Sequence, residues 1–409
     1  MKKTPLYLAF GLAASPAFAQ GVDKSAANYK EGPISDYTTL IDQALSSSAA
    51  PELPEDLNKE ELYKVLGLGS IKSYAQSSTP DGTEWINKIH LDNGGNHEGV
   101  FKLFTTSKHK GLSVADIAPA GADLAGQVNF NLATLEPMLK DIAKLSGAED
   151  LAEVEEGMAE EVPQLGMTGS DLLKKLDLRL NFVLDLDEAQ KIPTPFGELD
   201  KPNLTIRIDG LSWIWEKVGP MVIGGSGLPF AKTDEGETST YSLPPEMAAQ
   251  FMGYSPVLKV DKAGDFIWLS STGDFLTKCS NGEDTLAQSD AFKATMEDLP
   301  SDGQIFGYAS KSFYNFFDKT IGSLEEQGML EGADEMTKNQ LNTARKHMTK
   351  VEHGAAQILT TDDSGILWAE RGVQTIEQQM LEAKKALDAQ AKADAEEAAE
   401  EAAAPETGE

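Results

Sequence analysis

The sequence VLKVDKAGDFIWLS, which spans Val257–Ser270, decides the fold. It holds two short apolar runs, Val257–Val260 and Phe266–Ser270, on either side of the turn-rich residues Asp261–Asp265. Apolar runs of this length that flank a cluster of Asp and Gly are typical of a β-hairpin. We therefore predict two antiparallel strands in this segment.

The residues after this hairpin alternate between helix and strand signals. Ser289 begins a helical pattern that ends at Pro300, because proline lacks the amide hydrogen that a helix interior needs. A strand is predicted over Ile305–Ala309, and the hydroxyl of Ser310 is suited to cap a helix that runs past Phe317. The unit is a hairpin, a helix, a strand and a capped helix.

The same order of elements occurs earlier in the chain, where a hairpin precedes a strand over Leu124–Phe130 and a helical pattern follows it. Leu135 lies as far beyond Pro119 as Phe316 lies beyond Pro300. We predict a divergent two-fold internal repeat. The alternative is that strand-to-helix connections resemble one another in any fold.

Alternation with period two marks further strands. Leucine and phenylalanine alternate with polar residues over Leu178–Leu186, and isoleucine alternates with Thr205 and Arg207 over Leu204–Ile208. Such strands normally bury the apolar side and leave the other side in water, so we expect Asn181 to face solvent. Hairpins and strand–cap–helix units together favour an α+β fold, with helices on one face of antiparallel sheets.

The first residues have the composition of an export signal. Lys2 and Lys3 precede the apolar run Leu6–Ala14, and Ala17-Phe18-Ala19 forms an A-x-A cleavage site. No later segment is long and apolar enough for a membrane span. We expect an exported protein, periplasmic or extracellular.

The sequence also predicts how the chain is divided. The predicted segments are a signal peptide at 1–19, a polar lead-in at 20–61 with a helix over Tyr37–Ser46, a first half at 62–219, a Gly/Pro-rich loop at 220–240, a second half at 241–372, and an acidic Ala/Glu-rich tail at 373–409 that passes from helix to disorder.

The charge balance excludes one large class of partners. The formal net charge is −31, from 66 acidic and 35 basic residues, and the densest basic stretch is only Lys108-His109-Lys110. Such a chain repels nucleic acid, so no nucleic-acid partner is expected. Cys279 is the single cysteine, which rules out an intrachain disulfide. We interpret it as a buried or incidental thiol; the alternative is a reactive thiol or one that pairs between chains.

No motif predicts a catalytic residue, a cofactor or a metal. His97-Glu98 resembles the start of a zinc-protease motif, but Phe101 stands where the second histidine belongs. The acidic group Asp362-Asp363 lacks the spaced oxygen ligands and closing glutamate of a calcium loop. Ser226 is followed two residues later by Leu228, where a nucleophile elbow requires glycine.

One segment is unusually apolar for its length. Trp213, Trp215, Met221, Ile223 and Phe230 lie in a stretch, residues 210–231, that carries only two charged residues. The segment is a candidate to line an apolar groove or to contact a lipid or a protein partner. The alternative is that both tryptophans are core residues beneath a glycine-rich loop.

A short pattern resembles a known group of proteins. It comprises Leu286–Phe292, Leu299–Gly303 and Gly307–Ala309, and it is similar to a recurring pattern in uncharacterised exported bacterial proteins that carry a large domain of unknown function. In layout the resemblance covers Leu66 to Gly372. It implies an α+β architecture and export, and it transfers no catalytic or ligand-binding residue.

Three functional hypotheses follow. The first is a non-enzymatic exported protein that binds an apolar ligand or another envelope protein, as a curved sheet with one free face would allow. The second is a hydrolase that uses carboxylates and has no recognisable motif, which requires a cleft with converging Asp or Glu residues of perturbed pKa. The third is a structural component of the envelope. The sequence leaves the oligomeric state open.

Overall fold

A computed structural model describes residues 24–32, 58–194, 197–330, 332, 335–382, 384–385 and 392. It shows an α+β fold, as predicted from the sequence. Thirteen strands form one antiparallel sheet in the order β1-β2-β3-β15-β14-β13-β4-β7-β8-β12-β11-β10-β9, and β5 pairs with β6 separately. The strands are β1 Lys30–Gly32, β2 Ser73–Asp81, β3 Glu84–Asp92, β4 Leu124–Asn131, β5 Glu161–Val162, β6 Met167–Thr168, β7 Asp177–Thr194, β8 Gly197–Asp209, β9 Ala231–Glu235, β10 Thr238–Ser242, β11 Val257–Asp261, β12 Phe266–Ser270, β13 Ile305–Ser310, β14 Gly354–Thr361 and β15 Gly365–Gly372.

The helices connect the hairpins of the sheet. The α-helices are α1 Lys59–Val65, α2 Val100–Thr105, α3 Ser113–Ile117, α4 Leu135–Ser146, α5 Ala148–Ala159, α6 Gly169–Lys175, α7 Ser212–Gly225, α8 Gly273–Ser280, α9 Asp290–Met296, α10 Lys311–Glu326 and α11 Glu335–Met348. Short 3₁₀ helices cover Leu68–Ser70, Leu132–Thr134, Pro245–Phe251 and Leu286–Gln288.

Side-chain caps set several helix starts, including those predicted from the sequence. Ser289 Oγ accepts a hydrogen bond from the Phe292 amide at the start of α9, and Ser310 Oγ accepts one from the Phe313 amide at the start of α10. Thr272 caps α8 in the same way, although the sequence analysis placed no helix there. Each cap satisfies one of the amides that have no partner within the helix.

The centre of the sheet is the pair β4–β13, where Gly126 lies opposite Gly307. From this pair the sheet continues on each side through two further hairpins, β7–β8 and β12–β11 on one side and β14–β15 and β3–β2 on the other. The hairpin order is therefore symmetric about this pair as far as β11 and β2, beyond which lie β10 and β9 on one side and β1 alone on the other. The two-fold internal repeat remains a prediction.

The main core lies between the sheet and the helices α3, α8 and α9. Trp268, Phe275, Leu286 and Phe306 are among its buried members, and the Phe292 ring packs edge to face on Tyr308 with centroids 5.3 Å apart. Burial of several large side chains, at roughly 1.5–3 kcal/mol each, makes this the principal hydrophobic stabilisation. Cys279 is buried here, as predicted, and burial raises its pKa to about 12.

Several boundaries differ from the predictions. The predicted loop at 220–240 contains the end of α7 and the hairpin β9–β10. Its prolines and all but one of its glycines lie in the first half; Gly236 lies in the turn between β9 and β10, and the pairing of these strands orders the second half. Part of the polar lead-in forms β1 on the edge of the sheet. Ile376, in the predicted tail, is buried against the core. The predicted signal peptide and the helix Tyr37–Ser46 lie outside the described residues.

Glu370 on β15 offers a test of this packing by pH. Its carboxylate accepts hydrogen bonds from Asn87 Nδ2, at 2.7 Å, and from Gln379, and burial raises its pKa above the usual value of 4.5. The folded state therefore holds this proton more tightly than the unfolded state, and stability falls as pH rises above the unfolded pKa. We expect Glu370→Gln to stabilise the fold at neutral pH.

Urea unfolding of both proteins at about pH 4 and about pH 7.5 measures this effect. The advantage of Glu370→Gln should shrink at the lower pH, where the wild-type carboxyl is mostly protonated in both states. An advantage of equal size at both pH values would show that ionisation of Glu370 is not its cause.

Candidate functional site: an apolar sheet face

The strand β7 faces the opposite way from the prediction. Asn181 was expected in solvent, but its side chain is fully buried under α3, whereas Phe182 on the other side is 38% exposed. Ser113 of α3 bonds to Asn181 Oδ1 at 3.1 Å. The helices of the core thus cover the polar side of β7, and its leucines and phenylalanine line the opposite side.

The neighbouring strands β8 and β4 have the same inverted arrangement, whereas β12 exposes one apolar side chain although Trp268 is buried on its covered side. On β8, Thr205 is buried and Leu204 is 40% exposed; on β4, Gln127 is buried and Val128 is only half-buried. On β12, Leu269 is 47% exposed. Successive side chains of a strand point to opposite faces, so these apolar residues share one face of four adjacent strands.

The strand register shows how these side chains meet. Phe182 lies opposite Ile206, Ile206 opposite Leu269, and Leu269 opposite Leu258. Directly opposite residues in an antiparallel sheet point to the same side, so the four form a row about 15 Å long across the strands. We call the following residues the apolar face: Leu124, Phe182, Leu184, Leu204, Ile206, Leu258 and Leu269.

Gly126 lets the ring of Phe182 lie flat at the end of this row. A β-carbon on Gly126 would be 2.0 Å from a ring carbon of Phe182, so the ring rests directly on the backbone of β4. Beyond this point the row of Phe182 becomes polar, because Gln357 and Glu370 continue it on β14 and β15. The neighbouring row on the same face stays apolar through Ile305, Leu359 and Trp368, and there Leu359 and Trp368 pack against a second buried cluster.

Buried hydrogen bonds make the inverted orientation possible. Gln127 Oε1 accepts from the Val114 amide and from the Ser113 hydroxyl, both at 3.1 Å, and Gln127 Nε2 donates to the Gly111 carbonyl at 2.7 Å. Arg179 Nε donates to Asn129 Oδ1 at 3.2 Å. Buried amides are normally hydrogen-bonded; the first residues of α3 and the loop before it supply most of the partners here, while Asn181 Nδ2 has none among the described residues.

Helix α7 borders the apolar face and contains most of the residues singled out in the sequence. The Trp215 ring packs edge to face on Tyr241, with centroids 5.8 Å apart, and Tyr241 lies opposite Leu258 in the register. Met221 is 54% exposed. Four more residues take intermediate positions: Trp213, Trp215, Ile223 and Phe230.

Sequence reasoning missed the apolar face itself, although it found the strands that form it. The available signal was the side-chain chemistry of the polar side, which is rich in amides and hydroxyls at Gln127, Asn129, Asn181, Asn203 and Thr205. Such groups can be buried when they are paired. Their frequency on three adjacent strands was the sign that this side was the covered one.

The two described carboxyl groups whose pKa burial raises lie far apart in the sheet, and Asp123 and Asp187 also raise the pKa of Asp185. Burial raises the pKa of Asp185 on β7 and of Glu370 on β15, but these strands are separated by three others, or about 19 Å. Burial also lowers the pKa of His90 and of His109. Among the described residues, no cluster of His, Cys, Asp and Glu could hold a metal ion.

Comparisons with protein-family models, with curated proteins and with solved structures find no match for this chain. The resemblance to exported bacterial proteins thus stays a prediction. In the part of the chain that the structure describes, no helix is long and apolar enough to cross a membrane.

Proposed function

We propose that this chain is an exported, non-enzymatic binding protein that holds an apolar ligand, of the fatty acyl class, against the apolar face. The observation that carries the proposal is the set of exposed apolar side chains on one face of β7, β8 and β12, where Phe182, Leu204 and Leu269 are 38–47% exposed. Exposed apolar groups cost free energy unless an occupant covers them.

The chemistry of the face favours an acyl chain over a peptide or a folded partner. Each of its strands is hydrogen-bonded on both sides, so its backbone has no free groups with which an added peptide strand would pair. Its side chains carry no polar atom, whereas protein interfaces use about one hydrogen bond per 100–200 Å². A hydrocarbon chain needs none.

The hydrolase hypothesis receives no support from the described carboxylates. The catalytic pair of a carboxylate glycosidase, for example, is 5–9.5 Å apart, whereas Asp185 and Glu370 lie on strands separated by about 19 Å. Each raised pKa has burial as its first cause. We therefore retain ligand binding as the single proposed function.

Titration of the purified protein with a fluorescent fatty acid tests the proposal. We expect saturable binding, and we expect Leu204→Gln combined with Leu269→Gln to weaken it at least tenfold, about 1.4 kcal/mol, because polar amides on the face lose contact with the chain. Both positions are exposed, so the fold should tolerate the changes. The matched control is Gln357→Ala, on the polar part of the same face, which should bind like wild type.

Two outcomes would contradict the proposal. One is the absence of saturable binding to the wild-type protein. The other is equal binding by the wild type and the double variant, which would place the ligand elsewhere. A cleft of about 300 Å³ on the helix-covered side is the alternative location, and its lining includes Phe292, Met296 and Leu299.

A further inference from the structure

The end of helix α7 and the turn after it form an exposed apolar projection, which we call the α7 tip and define as residues 218–230. The fourteen residues 218–231 carry no charge, although Asp and Glu make up 66 of the 409 residues of the chain. Lys217 and Lys232 bracket this run. An uncharged run of this length on the surface of so acidic a chain calls for a partner that accepts apolar groups.

The base of α7 is firmly attached to the sheet, and its end is not. Ser212 donates from its amide and its hydroxyl to Asp265 Oδ1, at 3.1 and 2.8 Å, and Trp215 packs on Tyr241. After Gly219 no residue of α7 is buried. Met221 and Val222 are 54% and 50% exposed, so the helix presents two adjacent apolar side chains to solvent on a rigid support.

We propose that the α7 tip inserts into the interfacial layer of a lipid bilayer. Three of its residues are Gly224, Gly225 and Gly227. Because glycine has no side chain, the tip presents little of the shaped surface that a folded protein partner would need for a complementary fit. Fluid hydrocarbon requires no such shape. An α7 of 14 residues is about 21 Å long, shorter than the roughly 30 Å hydrocarbon core. The helix therefore docks at the surface and does not span it.

The flanking residues suit an interface between water and lipid. Lysine extends its charged group toward water while its aliphatic stem contacts apolar surroundings, and Lys217 and Lys232 stand at the two ends of the uncharged run. Trp213 and Trp215 lie at the base of the helix, and tryptophan is enriched at membrane interfaces. Within residues 212–232 the charged residues are one glutamate and two lysines, so this segment is not negatively charged, unlike the chain as a whole.

The membrane contact would extend the proposed function. Trp215 of α7 packs on Tyr241, and Tyr241 lies opposite Leu258, the last residue of the row across the apolar face. A bilayer contact at the α7 tip would place the apolar face beside the source or the destination of an acyl chain. The exchange of ligand rests on the proposed function, whereas the membrane contact does not and is tested without ligand.

Flotation of the full-length mature protein with phosphatidylcholine vesicles tests the contact. We expect binding that persists at high salt, because neutral lipid leaves little electrostatic attraction to screen. Met221→Asp combined with Val222→Asp should reduce the bound fraction at least tenfold. Met221→Ser combined with Val222→Ser removes apolar area without adding charge and should give a smaller loss. The control is Met329→Asp, at a methionine that is 46% exposed outside the tip.

Wild-type protein that stays with the buffer, or Asp and Ser variants that both float like the wild type, would overturn the proposal. Circular dichroism and urea midpoints should be unchanged in the variants, and the Ser variant keeps the test valid if the Asp variant does not fold. Fatty-acid titration in the absence of vesicles separates the two proposals. A tip variant that binds the fatty acid normally and fails to float supports the membrane contact specifically.

Discussion

Arg371→Met should destabilise the fold by about 3–5 kcal/mol, the usual result of breaking a buried ion pair on one side. Arg371 is 2% exposed. Its guanidinium contacts Asp81 at 2.5 Å and Glu84 at 3.3 Å, and it donates to the carbonyls of Thr295 and Glu297 at 2.9 and 3.2 Å. The residue thus joins β15 and the hairpin β2–β3 to the end of α9.

The large effect arises from the group that the substitution leaves behind. Glu84 is 1% exposed, and without the guanidinium its buried carboxylate would keep the amides of Glu352 and His353 as donors, with His353 Nδ1 3.5 Å away. Chemical denaturation with urea measures the loss. The double variant Glu84→Gln with Arg371→Met should recover part of it, because it removes the unpaired charge.

Arg345→Met is the matched control, because Arg345 also pairs with two carboxylates but at the surface. Its side chain is 30% exposed and lies 2.8 Å from Asp318. Exposed ion pairs contribute roughly 0–1 kcal/mol, so this variant should unfold close to the wild-type midpoint. If Arg371→Met and Arg345→Met lower the free energy of unfolding equally, burial of Arg371 is not the cause of its effect.

Gly67→Ala should cost about 3 kcal/mol or more, the second large effect that we expect. Gly67 has a φ of +87°, and a β-carbon there would be 2.1 Å from the Glu98 carbonyl oxygen. The close approach follows from the junction of α1 with α2, where the Val100 amide donates to the Leu66 carbonyl at 3.2 Å. The obstacle is backbone, which cannot rotate away, so overpacking adds to the strain of the left-handed conformation.

Gly111→Ala separates these two contributions. Gly111 has a φ of +75°, close to that of Gly67, but a β-carbon there would meet nothing within 4 Å. Only the left-handed strain of about 1–2 kcal/mol should appear. The difference between the two variants in urea unfolding measures the backbone contact. If both variants lose the same stability, close approach at Gly67 is not important.

Much of the local structure was predictable because its causes are local. The hairpin of Val257–Ser270 follows from turn residues between apolar runs, and its strands have the predicted bounds within one residue. Ser289 and Ser310 cap the helices that they were expected to cap, because a cap depends only on a hydroxyl and an amide three residues later.

The orientation of the central strands was not predictable by the same rules. Alternation in Leu178–Leu186 shows that the strand has two different sides, but it does not state which side the helices cover. The usual rule buries the apolar side, and here Phe182 is exposed while Asn181 is buried. The rule fails here because Ser113 bonds to Asn181 Oδ1 and the Val114 amide bonds to Gln127, although Asn181 Nδ2 stays unpaired within the described part of the chain.

The sequence by itself determined the hairpins, the helix caps and the α+β class, because hydrogen bonds and side-chain periodicity act over a few residues. Only the tertiary structure decided which face of the sheet the helices cover, because that choice depends on partners distant in the chain, as Ser113 is from Asn181. The apolar face and the exposed end of α7 are consequences of that choice. The candidate function is therefore a property of the assembled sheet.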